Sequence, residues 1–294
     1  MVGTTVRHYR VIGRIGIGGM GVVYEAEDTR LPRRVALKFL PEELAGDPEA
    51  TRRFKREAQT IALLNHPNIC TIYDIDEHDG RWFIAMERLE GANLKLHMVR
   101  KPLETAEVVA IALQITQALE AAHGSGIVHR DIKPGNIFVS GTRQVKVLDF
   151  GLARRFREED TGEPTVYGST MPGRPLGTAN YMAPERILQT PVDPRSDLFS
   201  VGVVIYEMAT GRLPFAGASP SETVTNVLEK EPEPLTKLSP NRPAHLQRIV
   251  DRLLRKRADE RYQSAGELRE NLTSLARKVD SSSFTRLFGR IFSK

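Results

Sequence analysis

The chain has 294 residues, which at roughly 150 residues per domain predicts two domains or lobes. Hydrophobic residues make up 40% and charged residues 27%, so a wholly disordered or fibrous chain is excluded. The net charge of +5 favours anionic partners, but the 42 basic and 37 acidic residues are interspersed along the chain. Because no stretch concentrates basic and aromatic residues, we expect no nucleic-acid partner.

The single cysteine, Cys70, excludes an intrachain disulfide and a thiolate metal cluster. A chain of this kind is typical of a reducing compartment. No apolar run approaches the roughly 20 residues of a membrane-spanning helix, and the N-terminus lacks the apolar core of a signal peptide. The chain as written is therefore expected in the cytoplasm.

Strands dominate the predicted structure of the first 90 residues. Alternation of apolar and polar residues predicts strands at residues 10–15, 22–27, 35–40, 69–76 and 82–87. Asp79–Gly80 between the last two strands is typical of a hairpin turn. Apolar residues at helical spacing predict one helix at residues 50–64.

Helices dominate the prediction after Gly91. Helices are predicted at residues 104–123, 197–210, 246–256 and 264–279, and short strands at 137–139 and 145–148. Residues 152–180 form a long loop without periodicity, and such loops are usually functional. The prediction is an α+β chain with a small antiparallel lobe at residues 1–90, a helical lobe at 91–279 and a basic tail at 280–294.

A glycine motif, G-x-G-x-x-G, occupies residues 16–21. Glycines allow backbone N–H groups to approach phosphate oxygens closely. A dinucleotide-binding fingerprint would lead directly into a helix, whereas the alternating residues 21–28 predict a strand. The glycines therefore join two strands, either as a flap over a phosphate ligand or as a plain hairpin.

Lys38 lies among apolar residues of a predicted strand. A lysine in such a place needs an anionic partner, because an unpaired buried cation is costly. A ligand phosphate and Glu57 on the following helix would supply one. Taken alone, Glu57 is equally consistent with a solvated helix face.

A cluster of polar residues stands at residues 129–136, His-Arg-Asp-Ile-Lys-Pro-Gly-Asn, followed by Asp149-Phe-Gly. Asp131, Asn136 and Asp149 offer the oxygen atoms that suit Mg²⁺ bound to phosphates and a hydroxyl nucleophile. Lys133 adds positive charge where negative charge accumulates on a transferred group. This combination predicts phosphoryl transfer.

Together these motifs, in this order, resemble those of the eukaryotic-like (Hanks-type) protein kinases, most closely the bacterial serine/threonine kinases of the PknB kind. The resemblance runs over residues 9–275. It implies the bilobal kinase fold, ATP as phosphate donor, Mg²⁺ with Mn²⁺ as an alternative, and protein substrates phosphorylated on Ser or Thr.

The resemblance also implies a role for each matching residue. Asp131 and Lys133 would be catalytic, the first orienting the substrate hydroxyl and the second contacting the γ-phosphate. Asn136 and Asp149 would bind the metal. The nucleotide would be bound by Ile15, Gly16, Gly18, Gly21, Val23, Ala36, Lys38, Glu57, Glu87, Leu89 and Phe138. Two structural contacts are implied as well, a pair between Glu185 and Arg261 and support of the catalytic-loop backbone by Asp197.

The loop before Glu185 contains candidate phosphorylation sites. Arg130, next to the catalytic aspartate, needs an anionic partner, and phosphorylation of the loop would supply one. Ser169 and Thr170 are the first candidates, and Thr161 and Thr165 the second. Autophosphorylation between two copies would require a homodimer, which the resemblance implies by analogy only.

Two other functions compete with an active kinase. A pseudokinase scaffold would bind ATP without transferring phosphate, but such proteins usually lack one of the lysine and aspartates that are present here. A small-molecule kinase of the same fold is disfavoured by Lys133 and by the long loop that ends in Ala-Pro-Glu. Related bacterial kinases often continue through a basic linker into a membrane helix, so a longer chain would be membrane-anchored with a cytosolic kinase domain.

Overall fold

The computed structural model describes residues 1–18, 21–40, 52, 55, 58–99, 101–150 and 179–279. These residues form two compact units, one within Met1–Glu90 and the other starting at Gly91. The first unit is built on an antiparallel sheet and the second mostly on helices, which confirms the predicted α+β class.

A six-stranded sheet forms the first unit, with strand order β1-β2-β3-β4-β6-β5 and antiparallel neighbours throughout. Its strands are β1 Thr5–Val6, β2 Tyr9–Gly18, β3 Gly21–Asp28, β4 Arg33–Phe39, β5 Ile72–His78 and β6 Arg81–Glu87. Asp79 and Gly80, both with positive φ, form the predicted turn between β5 and β6. The predicted strand at 69–76 begins later, at Ile72.

The sheet has two differently used faces, because successive side chains of a strand point to opposite sides. One face is a continuous apolar core to which β4 contributes Val35, Leu37 and Phe39, together with residues of β1, β2, β3 and β6. The other face carries the alternate residues, and there Ile84 packs with Ala58 of a helical segment. Helical backbone is described at residues 52, 55 and 58–62, within the predicted helix 50–64.

The second unit is built mostly of helices, and the longest of them are buried at its centre. Its helices are α1 Leu94–His97, α2 Thr105–Gly124, α3 Pro184–Ile187, α4 Pro194–Thr210, α5 Pro220–Glu229, α6 Leu235–Leu238, α7 Ala244–Leu253 and α8 Ala265–Lys278. A three-stranded sheet of β7 Gly91–Asn93, β8 Ile137–Ser140 and β9 Val145–Val147 adjoins them. Helix α4 is buried on nearly every side, so it lies at the centre of this unit.

Several boundaries differ from the sequence prediction. Helix α4 starts at Pro194 rather than at residue 197, because the Asp193 side chain accepts a hydrogen bond from Arg195 N and caps the helix. Gly124, expected just past helix α2, is its last residue. Helix α5 was not predicted. Within the described ranges, no helix is both long and apolar enough to cross a lipid bilayer.

A buried ion pair joins two distant parts of the second unit. The guanidinium of Arg261 is fully buried and donates two hydrogen bonds of 2.8 Å to the carboxylate of Glu185. It also donates to the carbonyl oxygens of Arg195, Arg255 and Lys256. Burial alone would raise the pKa of Glu185, but the hydrogen bonds from Arg261 hold it below its usual range. The expected Glu185–Arg261 pair is thus confirmed.

Replacing Arg261 by leucine should lower the free energy of unfolding by about 3–5 kcal/mol, because it leaves a buried carboxylate without its cation. The matched control is Arg257→Leu, since the ion pairs of Arg257 with Asp259 and Glu260 are exposed and their loss should leave stability almost unchanged. Urea unfolding of both variants measures the difference. Equal stability of the two variants would contradict this account of the pair.

Candidate active site

The glycine motif lies where β2 meets β3. Gly16 is opposite Val23 and Gly18 is opposite Gly21 in the antiparallel register, so these glycines join two strands as predicted. Gly21 has a φ of 114°, and a Cβ atom there would lie 2.0 Å from the carbonyl oxygen of Phe39. A glycine is therefore required at this position on steric grounds alone. Residues 19 and 20 lie outside the described residues.

Strand β4 places two of the predicted nucleotide residues, Ala36 and Lys38, on one face of the sheet. Lys38 is half-buried opposite Val23 of β3 and Ile84 of β6. Ala36 is buried and lies two residues earlier, on the same face. Ile15 on β2 is 52% exposed. Glu57, the expected partner of Lys38, lies outside the described residues.

The segment after β6 presents backbone groups at the edge of this face. Glu87 N donates to Thr71 O over 2.9 Å, and the Cys70 thiol lies 3.9 Å from Glu87 O. Within the part of the chain that the structure describes, the backbone N–H of Leu89 has no protein acceptor. A carbonyl and an N–H two residues apart match the donor and acceptor atoms of an adenine edge.

Three predicted residues of the second unit meet at one carboxylate oxygen. Lys133 Nζ lies 2.7 Å from Asp131 Oδ2, and Asn136 Nδ2 donates to the same oxygen over 2.9 Å. Asn136 Nδ2 also donates to the carbonyl oxygen of Asp131. Asp131 is buried, whereas the side chain of Lys133 is 24% exposed. The carboxylate is therefore fixed in orientation by two donors on one oxygen.

The β8–β9 hairpin brings the predicted metal ligands together. Ile137 pairs with Val147, and Leu148 N donates to Asn136 O over 2.8 Å. Asn136 and Asp149 therefore lie at the same end of the hairpin. Asp149 has a φ of 58°, a left-handed conformation that aspartate tolerates better than most residues. Phe138, predicted to contact adenine, is half-buried on β8 opposite Asn93.

The donor chemistry of this pair fits a hard cation. Since Asn136 Nδ2 is used by Asp131, its Oδ1 oxygen is directed away from Asp131 and is the atom available as a ligand. In the residues described, no group of three or more His, Cys, Asp or Glu side chains is placed to hold a metal. Two protein oxygens suit Mg²⁺, which usually completes its octahedron with water and substrate phosphates.

Asp197 of α4 holds the loop that carries Asp131. Its two oxygens accept from the backbone N–H groups of His129 and Arg130, each over 2.8 Å. His123 Nε2, at the end of α2, donates to Oδ2 over 2.9 Å. Burial alone would raise the pKa of Asp197, but the His123 hydrogen bond and the other donors hold it below its usual value. The expected support of the loop by Asp197 is confirmed.

His129 is a packed residue of the loop. Its Nδ1 accepts from Asp131 N over 3.1 Å, and its Nε2 donates to Leu148 O over 2.9 Å. The ring lies 4.5 Å from that of Phe150, between centroids. Complete burial lowers the pKa of His129, so the neutral ring fills both hydrogen bonds. It orients Asp131 through the backbone N–H of that residue.

Two contributors to this site escaped the sequence analysis. His123 precedes the loop and meets Asp197 across 74 positions of the chain. Arg186, immediately after the Ala-Pro-Glu segment, is buried and donates to Arg130 O. The phosphorylation candidates in residues 152–178 lie outside the described residues.

Comparison with known proteins agrees with this geometry. Residues 9–272 match the family described as the protein kinase domain. The chain is 37% identical to a probable serine/threonine-protein kinase of Clostridium acetobutylicum over 98% of its length and 43% of the relative's. It is 39% identical to the serine/threonine-protein kinase PknB of Mycobacterium tuberculosis over 88% of its length and 41% of the relative's.

The fold is that of a solved kinase domain. The chain is similar to the crystal structure of the Mycobacterium tuberculosis PknI kinase domain, with a TM-score of 0.72 and 28% sequence identity. The alignment covers 93% of this chain and 98% of that domain. The predicted kinase fold is thus confirmed. The chain spans about two fifths of the length of the curated relatives named above.

Asp197→Asn should lower the free energy of unfolding by about 2–4 kcal/mol, because an amide NH₂ would face one of three donors. Since the pKa of Asp197 is lowered on folding, its contribution is complete above the unfolded value of about 3.9 and is lost as the pH falls through the folded pKa. The wild-type advantage should therefore shrink in acid. Urea unfolding between pH 7 and pH 3 measures it.

The matched control is Asp251→Asn, since Asp251 is exposed and accepts a hydrogen bond from Gln247 of the same helix. We expect this variant to follow the wild type at every pH. An Asp197→Asn variant as stable as Asp251→Asn at pH 7 would refute the role given to Asp197.

Proposed function

The chain belongs to the protein kinase family, and we propose that it is a serine/threonine protein kinase that transfers the γ-phosphate of ATP to Ser and Thr hydroxyls of proteins. The observation that carries the proposal is the arrangement at Asp131, whose Oδ2 accepts from both Lys133 and Asn136. The family uses ATP and a divalent metal in general, and its named relatives are serine/threonine-protein kinases.

In the proposed mechanism the first unit binds ATP. The glycines at the β2–β3 junction would admit phosphate oxygens to backbone N–H groups, and Lys38 would neutralise the α- and β-phosphates with Glu57 as its partner. Glu87 O and Leu89 N–H would bind the adenine edge. On the sheet of the first unit, the apolar wall would be made by Ile15, Val23 and Ala36.

Asp131 would act on the substrate hydroxyl. Two donors on Oδ2 fix the carboxylate plane, so the carboxylate can orient the hydroxyl towards the γ-phosphate and accept its proton. The partly exposed Lys133 ammonium would stabilise the negative charge that develops on the transferred group. His129 and Asp197 keep the loop in place without contacting the reactants.

Asn136 and Asp149 would hold the divalent metal, for which we propose Mg²⁺, with Mn²⁺ as an alternative. When bound, such an ion supplies charge neutralisation between phosphate oxygens. The Asn136 Oδ1 and the Asp149 carboxylate supply hard oxygen ligands at one end of the β8–β9 hairpin.

The second candidate is a pseudokinase scaffold that binds ATP and partners without transfer. Nothing in the site favours it, since Lys38, Asp131 and Asp149 are all present. Transfer by the purified chain separates the two functions.

Purified protein with labelled ATP and Mg²⁺ should phosphorylate itself or a generic protein substrate. Asp131→Asn should slow transfer at least about 100-fold, because it removes the proton acceptor, and should leave ATP affinity nearly unchanged. Asp79→Asn, in an exposed turn, is the matched control and should be fully active. ATP binding without transfer by the wild type would favour the scaffold.

Mapping of the label tests the regulatory part of the proposal. We propose autophosphorylation at Ser169 or Thr170, then at Thr161 or Thr165, between two copies of the chain. Label confined to other residues in active protein would contradict these sites. An initial rate per molecule that does not depend on protein concentration would contradict transfer between copies.

Chelation of divalent metal should abolish transfer, and Mg²⁺ should restore it. Asp149→Asn should raise the Mg²⁺ concentration for half-maximal rate about tenfold or more, because one ligand loses its charge. Asp251→Asn should not change it. A metal-independent rate in the wild type would exclude the proposed metal site.

A further inference from the structure

Arg88 lies between the two residues that present backbone groups for adenine, Glu87 and Leu89. Its side chain returns to the sheet, where Nε lies 3.0 Å from Glu25 Oε1 of β3. Its Nη1 lies 2.6 Å from Glu90 Oε1. The side chains of Arg88 and Glu25 are only 28% and 20% exposed, so this pair is partly shielded from water.

Glu25 is on the nucleotide face of the sheet. It follows Val23 by two residues on β3 and lies opposite Ala36 of β4 in the antiparallel register. Because alternate residues of a strand share a face, Glu25 lies on the face that carries Val23, Ala36 and Lys38. The ion pair therefore runs from the apolar wall proposed for adenine to the segment proposed for its edge.

Arg34 of β4 adds a second cation to the same oxygen. Its Nη1 lies 3.2 Å from Glu25 Oε1, with a side chain that is 59% exposed. Glu25 Oε1 is thus shared by Arg34 of β4 and by Arg88. Its carboxylate is a fixed anchor point for Arg88.

We infer that the Glu25–Arg88 ion pair positions the Glu87–Leu89 backbone for adenine binding, an inference that rests on the proposed function. The Cα of Arg88 joins two successive peptide groups, one containing Glu87 O and the next containing Leu89 N–H. Fastening its side chain to β3 restricts rotation of both groups before nucleotide arrives. Such pre-organisation strengthens binding by reducing the entropy lost on association.

The role is one of positioning, since neither side chain is needed to touch the nucleotide. The pair lies wholly within the first unit, and the residues around Asp131 belong to the second. Its loss should therefore weaken nucleotide binding and leave the transfer step unaffected at saturating ATP.

The test compares Glu25→Gln, Arg88→Gln and the double variant with the wild type. Each single variant should raise the KM for ATP about 3–10-fold, as expected for a partly buried ion pair, with kcat unchanged. A direct measurement of affinity for a fluorescent ATP analogue should show the same shift. The double variant should be no worse than the worse single variant, because each single variant already removes the shared Glu25–Arg88 pair and the additional pairs involve the exposed side chains of Arg34 and Glu90.

Glu27→Gln is the matched control. Glu27 lies on the same strand and face and forms an ion pair with Arg10, and among the described residues none of its hydrogen bonds or ion pairs reaches the segment after β6. We expect its KM for ATP to equal that of the wild type. Melting temperatures of all variants show whether any change arises from general loss of stability.

Distinct outcomes separate the inference from the function on which it rests. The inference alone is overturned if the wild type binds ATP and transfers its phosphate while Glu25→Gln and Arg88→Gln leave the KM for ATP unchanged. Additive effects in the double variant, or a fall in kcat without a rise in KM, also overturn it. Wild-type protein that binds no ATP overturns the proposed function and this inference with it.

Discussion

The loop that carries Asp131 depends on one buried carboxylate, that of Asp197. A carboxylate removed from water is stable only when its oxygens accept hydrogen bonds. The oxygens of Asp197 accept them from two backbone N–H groups and from His123. Those N–H groups belong to the two residues directly before Asp131. Arg130 has a φ of 65°, an unfavourable conformation for a side-chain-bearing residue, and its hydrogen bond to Asp197 offsets that cost. Helix α4 thereby fixes the position of the backbone that leads into Asp131.

The first unit, for which we propose nucleotide binding, depends on a different constraint, the strict alternation of a β-strand. Val35, Leu37 and Phe39 are committed to the apolar core, so Ala36 and Lys38 must face the other side of the sheet. A shift of register by one residue would bury Lys38 among aromatic rings. The hydrophobic core of the first unit therefore determines the position of the lysine that the proposed mechanism needs.

The sequence revealed the parts of the site whose residues are close together along the chain. Asp131, Lys133 and Asn136 lie within one loop, and their spacing already restricts them to one place. His123 could not be found in this way, since nothing local marks a histidine at a helix end as the partner of an aspartate 74 positions away. The Glu185–Arg261 pair was reached only through family resemblance. Helix α5 did carry a local signal, because Ser219 and Glu222 stand three residues apart at its start and Ser219 Oγ accepts a hydrogen bond from Glu222 N, as in a helix cap.

Burial decides what each ion pair of this protein can do. Arg261 is inaccessible to water, so separating it from Glu185 would leave two charges in a medium of low polarity, and the pair acts as a permanent brace. Arg88 and Glu25 keep partial access to water, so their separation costs much less. A pair of that strength can bias the conformation of the segment after β6 without locking it. The two ion pairs therefore differ in role because they differ in exposure to water.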